Sequence, residues 1–174
     1  MAKKKMEKSK RYPWNKGRKV GPQHPFRPSD VTRIRALLAK RGIGGLRDLT
    51  LFSTAIDTML RPQDLLGLTV TDVRKRNRVM RDTVELAAND ERGKVRCTLS
   101  KATMRVLEKW INQTAKKQHD YLFTGRVGGG LKAISTRQFS RLVKGWLDGV
   151  GLDENSYGII SLRRTRARKD KSGH

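Results

Sequence analysis

The chain of 174 residues reads as a mostly α fold with a small antiparallel β-sheet, an α+β class. Two observations predict this. Apolar residues recur at helical spacing in four stretches: Val31, Ile34, Leu37 and Leu38; Leu49, Phe52, Ala55, Ile56 and Met59; Met104, Leu107, Trp110 and Ile111; and Phe139, Leu142, Val143, Trp146 and Leu147. Val84–Ala87 and Lys94–Leu99 read as a pair of short strands, and the turn-forming run Asn89–Gly93 lies between them. The length suits one domain with an extension, and is enough for a sizeable core.

Residues 1–28 are expected to form a flexible basic arm. Between Met1 and Arg27 stand ten Lys or Arg and a single acidic residue, Glu7, together with Pro13, Pro22 and Pro25. Such a segment has too little apolar surface to offset the entropy of ordering itself. Tyr12 and Trp14 are interleaved with Lys10, Arg11 and Lys16, which sets stacking faces beside charges and suits nucleic acid. A solubilising tail whose aromatic pair docks on the domain explains the same pattern. A phosphate-cradling P-loop is excluded, because no Gly-Lys-Ser/Thr follows a strand here.

The domain is expected over residues 29–174. Ser29 and Asp30 can cap its first helix, which should end near Gly42, and Gly42, Gly44 and Gly45 read as a turn. The second helix starts at Arg47 and Asp48 and runs to Arg61, where Pro62 takes the first position of a new short helix. Leu65, Leu66 and Leu68 bury that helix, and Asp72 closes it. Arg61 is thus held between two packed apolar segments, a placement that suits bidentate gripping of a phosphate. Helix-terminal cations are also common on plain surfaces, so this pattern alone does not decide.

Arg74 to Arg81 reads as a basic loop or hairpin tip containing Arg74, Lys75, Arg76, Arg78 and Arg81. After the strand pair, Ser100 opens a helix running to about Lys117, with Trp110 in the core. Tyr121-Leu122-Phe123 reads as a short buried strand and Gly128–Gly130 as a turn. Ser135 and Gln138 form a capping box for a helix that Gly151 stops. Arg137, Arg141 and Lys144 line its other side, either as DNA contacts or as a solvated face. Ser161 opens the last helix.

Forty Lys and Arg against sixteen Asp and Glu leave a formal charge of +24. That excess favours a polyanionic partner, because each neutralised phosphate releases counterions. No segment approaches the roughly 18 apolar residues of a spanning helix, and no apolar run follows the N-terminal lysines, so neither a membrane span nor a secretory signal is expected. The lone cysteine, Cys97, excludes an internal disulfide, fits a reducing cytosol and reads as a small buried hydrophobe. His24, His119 and His174 lack metal-ligand spacing, so no metal and no cofactor is expected.

Two stretches carry a family resemblance. Thr58-Met59-Leu60-Arg61-Pro62-Gln63-Asp64-Leu65-Leu66 resembles the first arginine motif of the tyrosine recombinases, the phage-type integrases. Tyr157-Gly158-Ile159-Ile160-Ser161-Leu162-Arg163-Arg164-Thr165 resembles their His-x-x-Arg box. The order is right and the two motifs lie about a hundred residues apart, so the pair is more specific than either half. Tyr121-Leu122-Phe123 resembles a further family element, and Lys16-Gly17-Arg18-Lys19-Val20-Gly21 the lead-in of some small bacterial integrases. The resemblance covers about residues 16–165.

The resemblance implies a recombinase catalytic-domain fold, duplex DNA as partner, other recombinase protomers as further partners, and the bacterial cytoplasm and nucleoid as location. In that family a tyrosine hydroxyl attacks a phosphodiester, and two arginines stabilise the charge that builds on the non-bridging oxygens. By motif position these are Arg61 and Arg163. The DNA-contacting candidates are Lys16, Arg18, Lys19, Arg74, Lys75, Arg76, Arg137, Arg141, Arg164 and Arg166. The family's general-acid lysine lies on the β-hairpin, where this turn offers Asn89, Asp90 and Glu91 and then Lys94. Lys94 is either a shifted substitute or an ordinary exposed strand lysine. The box's histidine falls at Ile160, which can neither donate nor accept. Tyr157 precedes the box, in the wrong order for a nucleophile, and Tyr12 and Tyr121 lie elsewhere. The expectation is therefore a catalytic domain lacking its last helices, which binds DNA in site-specific recombination or integration but does not cleave alone. The alternatives are a non-catalytic DNA-binding regulator of recombination sites, and a generic basic RNA- or DNA-binding protein.

Overall fold

The second helix organises the molecule. In the computed structural model, which describes residues 22–87, 94–125 and 132–171, the elements run α1 (Pro28–Ala39), α2 (Gly42–Thr58), α3 (Pro62–Leu66), α4 (Val70–Val73), β1 (Thr83–Ala87), β2 (Lys94–Thr98), α5 (Lys101–Gln113), α6 (Thr136–Gly149) and α7 (Ile159–Lys171). Helix α2 packs against α1, α5 and α7, and every residue from Thr50 to Thr58 is buried. The amphipathic face around Phe52 was only half of the matter, because the polar face of α2 is buried too. It is satisfied internally. Thr50, Thr54 and Thr58 each donate their hydroxyl to the carbonyl four residues earlier, at 2.7–2.8 Å. Asp57 accepts from the Ser100 backbone N–H at 2.8 Å, and Asp48 from Trp146 Nε1 at 3.1 Å.

Around α2 the core gathers Phe26, Ile34, Leu38, Leu107, Ile111, Phe139, Trp146 and Leu162. Phe52 sits at its centre, edge-on to Trp146 at 5.8 Å and 6.2 Å from Phe26. Each such side chain contributes roughly 1.5–3 kcal/mol when fully removed from water. Trp110 is buried, as its spacing requires, and its indole N–H donates to the Leu122 carbonyl at 2.8 Å.

The β1–β2 pair is antiparallel, with Thr83 opposite Thr98 and Ala87 opposite Lys94. Val84 and Cys97 pair across it and both face inward, so the cysteine is the buried small residue its strand position predicts. Asn89–Gly93 lies outside the described residues, as do Gly128–Gly130.

Several boundaries differ from expectation, each for a local reason. Helix α1 starts at Pro28, not after a Ser29–Asp30 cap; Asp30 instead reaches back to accept the Arg27 N–H at 3.2 Å. Gly42, Gly44 and Gly45 open α2 rather than forming a separate turn. Gly45 is required there, since a Cβ would lie 2.2 Å from the Leu38 carbonyl oxygen where α1 and α2 touch. Helix α2 stops at Thr58 because Met59 turns left-handed, with φ 52°. Helix α5 stops at Gln113, short of Lys117, and Ala115 is likewise left-handed at φ 50°. Thr69 and Asp72 cap a one-turn α4, the carboxylate accepting both the backbone N–H and the hydroxyl of Thr69 at 2.7–2.8 Å. Tyr121-Leu122-Phe123 forms an isolated bridge at Thr69 in place of a strand. Helix α7 begins at Ile159, two residues before Ser161.

Residues 22–28, placed by composition in the arm, pack onto the domain. Phe26 is 2% exposed and stacks on Tyr157, with ring centroids 5.4 Å apart and planes 6° from parallel. One aromatic residue in a basic, proline-rich run was too small a signal to mark this. Among the described residues no helix is long and apolar enough to cross a membrane, and no cluster of ligands could hold a metal ion.

Candidate functional site

The two arginine motifs meet where α7 crosses the C-terminal end of α2. Met59 ends α2 in a left-handed conformation, Leu60 is buried, and Arg61 in an extended conformation precedes Pro62 at the first position of α3. This sequence of backbone states turns the chain sharply and leaves Arg61 exposed. Its side chain makes no hydrogen bond or ion pair with any described residue.

Arg163 reaches the same corner from the other side. Its Nε donates to the Met59 carbonyl at 3.0 Å, which satisfies one of the orphan carbonyls at the end of α2. That bond uses one donor of the fork, and the residue is exposed. Helix α7 is seated by Leu162, 1% exposed, and by Thr165, whose Oγ1 accepts the Phe26 N–H at 3.1 Å. The two motifs, remote in sequence, thus meet at one helix end, where Arg163 bonds to the backbone two residues before Arg61. Among the described residues no acidic side chain pairs with either, in a chain of formal charge +24.

The next residue, Arg164, donates to the Gln23 carbonyl at 2.8 Å and is exposed. Ile160, at the histidine position of the motif, is 51% exposed, and its backbone N–H donates to Gln23 Oε1 at 3.1 Å. Tyr157 is engaged in stacking with Phe26, and Tyr121 is 40% exposed at the Thr69 bridge.

The other candidates divide. Arg76 is exposed at the tip of a turn closed by the Lys75 N–H to the Val79 carbonyl at 2.9 Å, and Lys75 is exposed beside it. Arg74 is half-buried and donates to Asn112 Oδ1 at 3.0 Å, so it braces the turn against α5. Arg137 and Arg141 are exposed on α6. Lys144 there pairs with Glu154 at 2.9 Å. Lys94 opens β2, opposite Ala87, and its side chain lies outside what is described. Arg166 lies on α7, its side chain likewise outside. Lys16, Arg18 and Lys19 lie outside the described residues, as do Tyr12, Trp14 and His174.

A cleft of about 710 Å³ lies beside the basic turn, but Asp72, Asp82 and Glu85 line it along with Lys75 and Arg81. Its mixed charge does not suit a polyanion. Lys116 is half-buried over the Trp110 ring and donates to Thr124 Oγ1 at 3.0 Å. Burial pushes its pKa down, opposed by the charge of Asp120. Two participants carry no signal in the motifs: the Met59 carbonyl, a backbone group, and Gln23, which lies in the composition-assigned arm. Gly158 is the one hint for Gln23, being a residue before a helix with no side-chain oxygen to cap it.

Comparison with known proteins gives this corner its context. The description of the phage integrase family matches residues 26–169. No curated sequence matches significantly. Among solved structures, XerA recombinase superposes with a TM-score of 0.68 at 16% identity, over 94% of this chain and 56% of that one. XerH site-specific recombinase bound to its difH substrate, a pre-cleavage complex, gives 0.66 at 17% identity, over 84% and 42%. The Tn1549 transposon integrase in complex with circular intermediate DNA gives 0.63 at 17% identity, over 89% and 55%. The chain thus spans about half the length of the solved chains it matches. At these identities the likeness speaks for the fold, a mostly helical recombinase catalytic-domain fold with a two-stranded antiparallel sheet. With the family description matching most of its length, the chain belongs to the phage integrase family.

Proposed function

We propose that this chain binds duplex DNA as part of site-specific recombination or integration, with Arg61 and Arg163 as a phosphate clamp at the end of α2. The observation that carries the reading is the Arg163 Nε bond to the Met59 carbonyl, two residues from Arg61. A guanidinium fixed through Nε keeps a planar edge for phosphate oxygens, and a neighbouring guanidinium, unpaired among the described residues, adds a second cation. Lys16, Arg18, Lys19, Lys75, Arg76, Arg137, Arg141, Arg164 and Arg166 supply further backbone contacts in this reading, with Arg74 bracing the turn. The DNA complexes of XerH and the Tn1549 integrase lend it support from proteins of like fold. Other recombinase protomers are the further partners, and the bacterial nucleoid is the setting.

The same reading holds that the 174-residue chain does not cleave DNA by itself. Ile160 offers no proton-handling group beside Arg163, and Tyr157 is stacked into the fold before the box. Lys94 is then a strand lysine and not a general acid.

The test is duplex binding across a salt series, with Arg61→Ala and Arg163→Ala beside the parent chain. Each variant should lose about tenfold in affinity and flatten the salt slope by about one ion. Unchanged affinity and slope in both would overturn the clamp. A nicked suicide duplex should yield no covalent protein–DNA adduct; an adduct would overturn the non-cleaving half. Equal affinity for unrelated RNA would favour a generic basic protein.

A further inference from the structure

Helix α7 has an N-terminus that its own sequence does not complete. Gly158, the residue before it, carries no side chain that could accept from the first-turn N–H groups. Ser161 reaches back so that its Oγ accepts the Gly158 N–H at 3.1 Å, which is half of a capping box. The missing acceptor comes from 137 residues away: Gln23 Oε1 takes the Ile160 N–H at 3.1 Å. The Gln23 backbone carbonyl meanwhile accepts from Arg164 Nη1 at 2.8 Å. The neighbouring residues hold Gln23 in place. His24 N–H donates to the Ser156 carbonyl at 2.9 Å, Phe26 N–H to Thr165 Oγ1 at 3.1 Å, and the Phe26 ring lies on Tyr157. Gly158 itself leaves no room beside this contact, since a Cβ there would lie 2.4 Å from Gln23 Nε2.

We propose that Gln23 is a positioning residue for the α7 arginines: its side chain caps the helix that presents Arg163, and its carbonyl holds Arg164. The proposal rests on the DNA-binding reading above and names a residue that touches no phosphate itself. Residues 22–28 then link the basic arm to the clamp, so that the first turn of α7 is ordered only while this segment is docked. A carboxamide acceptor is neutral, so it orders the turn without cancelling the cationic charge the clamp needs. An aspartate or serine at position 158 would complete the cap locally, but no Cβ fits there while Gln23 is in place.

The experiment is a double-mutant cycle between Gln23→Ala and Gly158→Ala, read by hydrogen exchange of the Ile160 amide and by duplex-DNA affinity at fixed salt. Gly158 is not in the left-handed region, so Gly158→Ala displaces the flexible Gln23 side chain without straining the backbone. Each single variant should speed exchange at Ile160 about fivefold and weaken duplex binding by a similar factor. The slope of affinity against salt should not change, because no phosphate contact is lost. The double variant should be no worse than either single. Gln23→Glu keeps the acceptor oxygen and should retain the Ile160 protection. Additive losses in the double variant, or unchanged exchange in Gln23→Ala, would overturn the proposal. Failure of the parent chain to bind duplex defeats the DNA reading alone, and the exchange cycle still decides whether Gln23 orders α7.

Discussion

The two arginines of the proposed clamp are positioned by opposite means. Arg61 is set by its immediate neighbours: a left-handed Met59, a buried Leu60 and Pro62 at the start of α3. Its side chain then makes no hydrogen bond or ion pair with a described residue. Arg163 is set by residues far away, through Met59 104 positions earlier and through the docked Gln23 that completes α7. A local device tolerates changes elsewhere but leaves the side chain loose. A long-range device fixes the side chain but depends on two distant segments staying packed. The proposed phosphate site, built from one of each, would combine an adaptable cation with a preorganised one.

The largest effect should come from removing what both regions stand on. Phe52→Ala empties the centre of the core between Phe26 and Trp146 and should cost about 3–5 kcal/mol by urea denaturation. Loss of under about 1 kcal/mol would mean that Phe26 and α7 pack independently of α2. A smaller change separates the two arginines. Arg163→Lys deletes the Nε donor to Met59 and should destabilise the fold by about 1 kcal/mol, whereas Arg61→Lys should stay within about 0.5 kcal/mol. Equal effects on stability would erase the contrast between the two arginines.

The smallest effect is a pH dependence at the anchor of the docked segment. Asp153 accepts from Asn155 N–H, Ser156 Oγ and Asn155 Nδ2, and these bonds, the Asn155 N–H first, hold its carboxyl below the ordinary value of 3.8. A depressed folded pKa means that the carboxylate supports the turn above the ordinary value and ceases to do so as the pH falls through the folded one. Because Ser156 offers its carbonyl to His24, acidification below the usual carboxylate range should loosen His24 before it affects α3. Amide shifts at His24 and Leu65 across an acid titration measure this; simultaneous change at both would argue against a local event.

The fold was largely legible where burial is periodic. The faces of α5 and α6 appear in the sequence as spaced apolar residues, and Ser100 and Ser135 cap those helices as their sequence positions predict. Helix α2 was less legible, because Thr50, Ser53, Thr54 and Asp57 look solvent-facing and are buried. The Thr50 and Thr54 hydroxyls bond back to the preceding turn, and the Asp57 carboxylate bonds to the start of α5, which makes burial inexpensive. The start of α2 was misread for a related reason: glycine signals a turn by propensity, but here it permits close approach to α1.

The sequence by itself determined the two arginine motifs, their order, the helical and strand periods and the cationic excess, since these depend on residue type and spacing alone. Tertiary structure decided that Arg163 bonds to the end of α2, that Arg74 braces a turn while Arg76 stays free of α5, and that part of the basic arm belongs to the domain. The physical reason is the nature of the contacts. Backbone carbonyls such as those of Met59 and Gln23 are present at every position and carry no signature in the residue code. Only packing decides which of them a distant arginine meets.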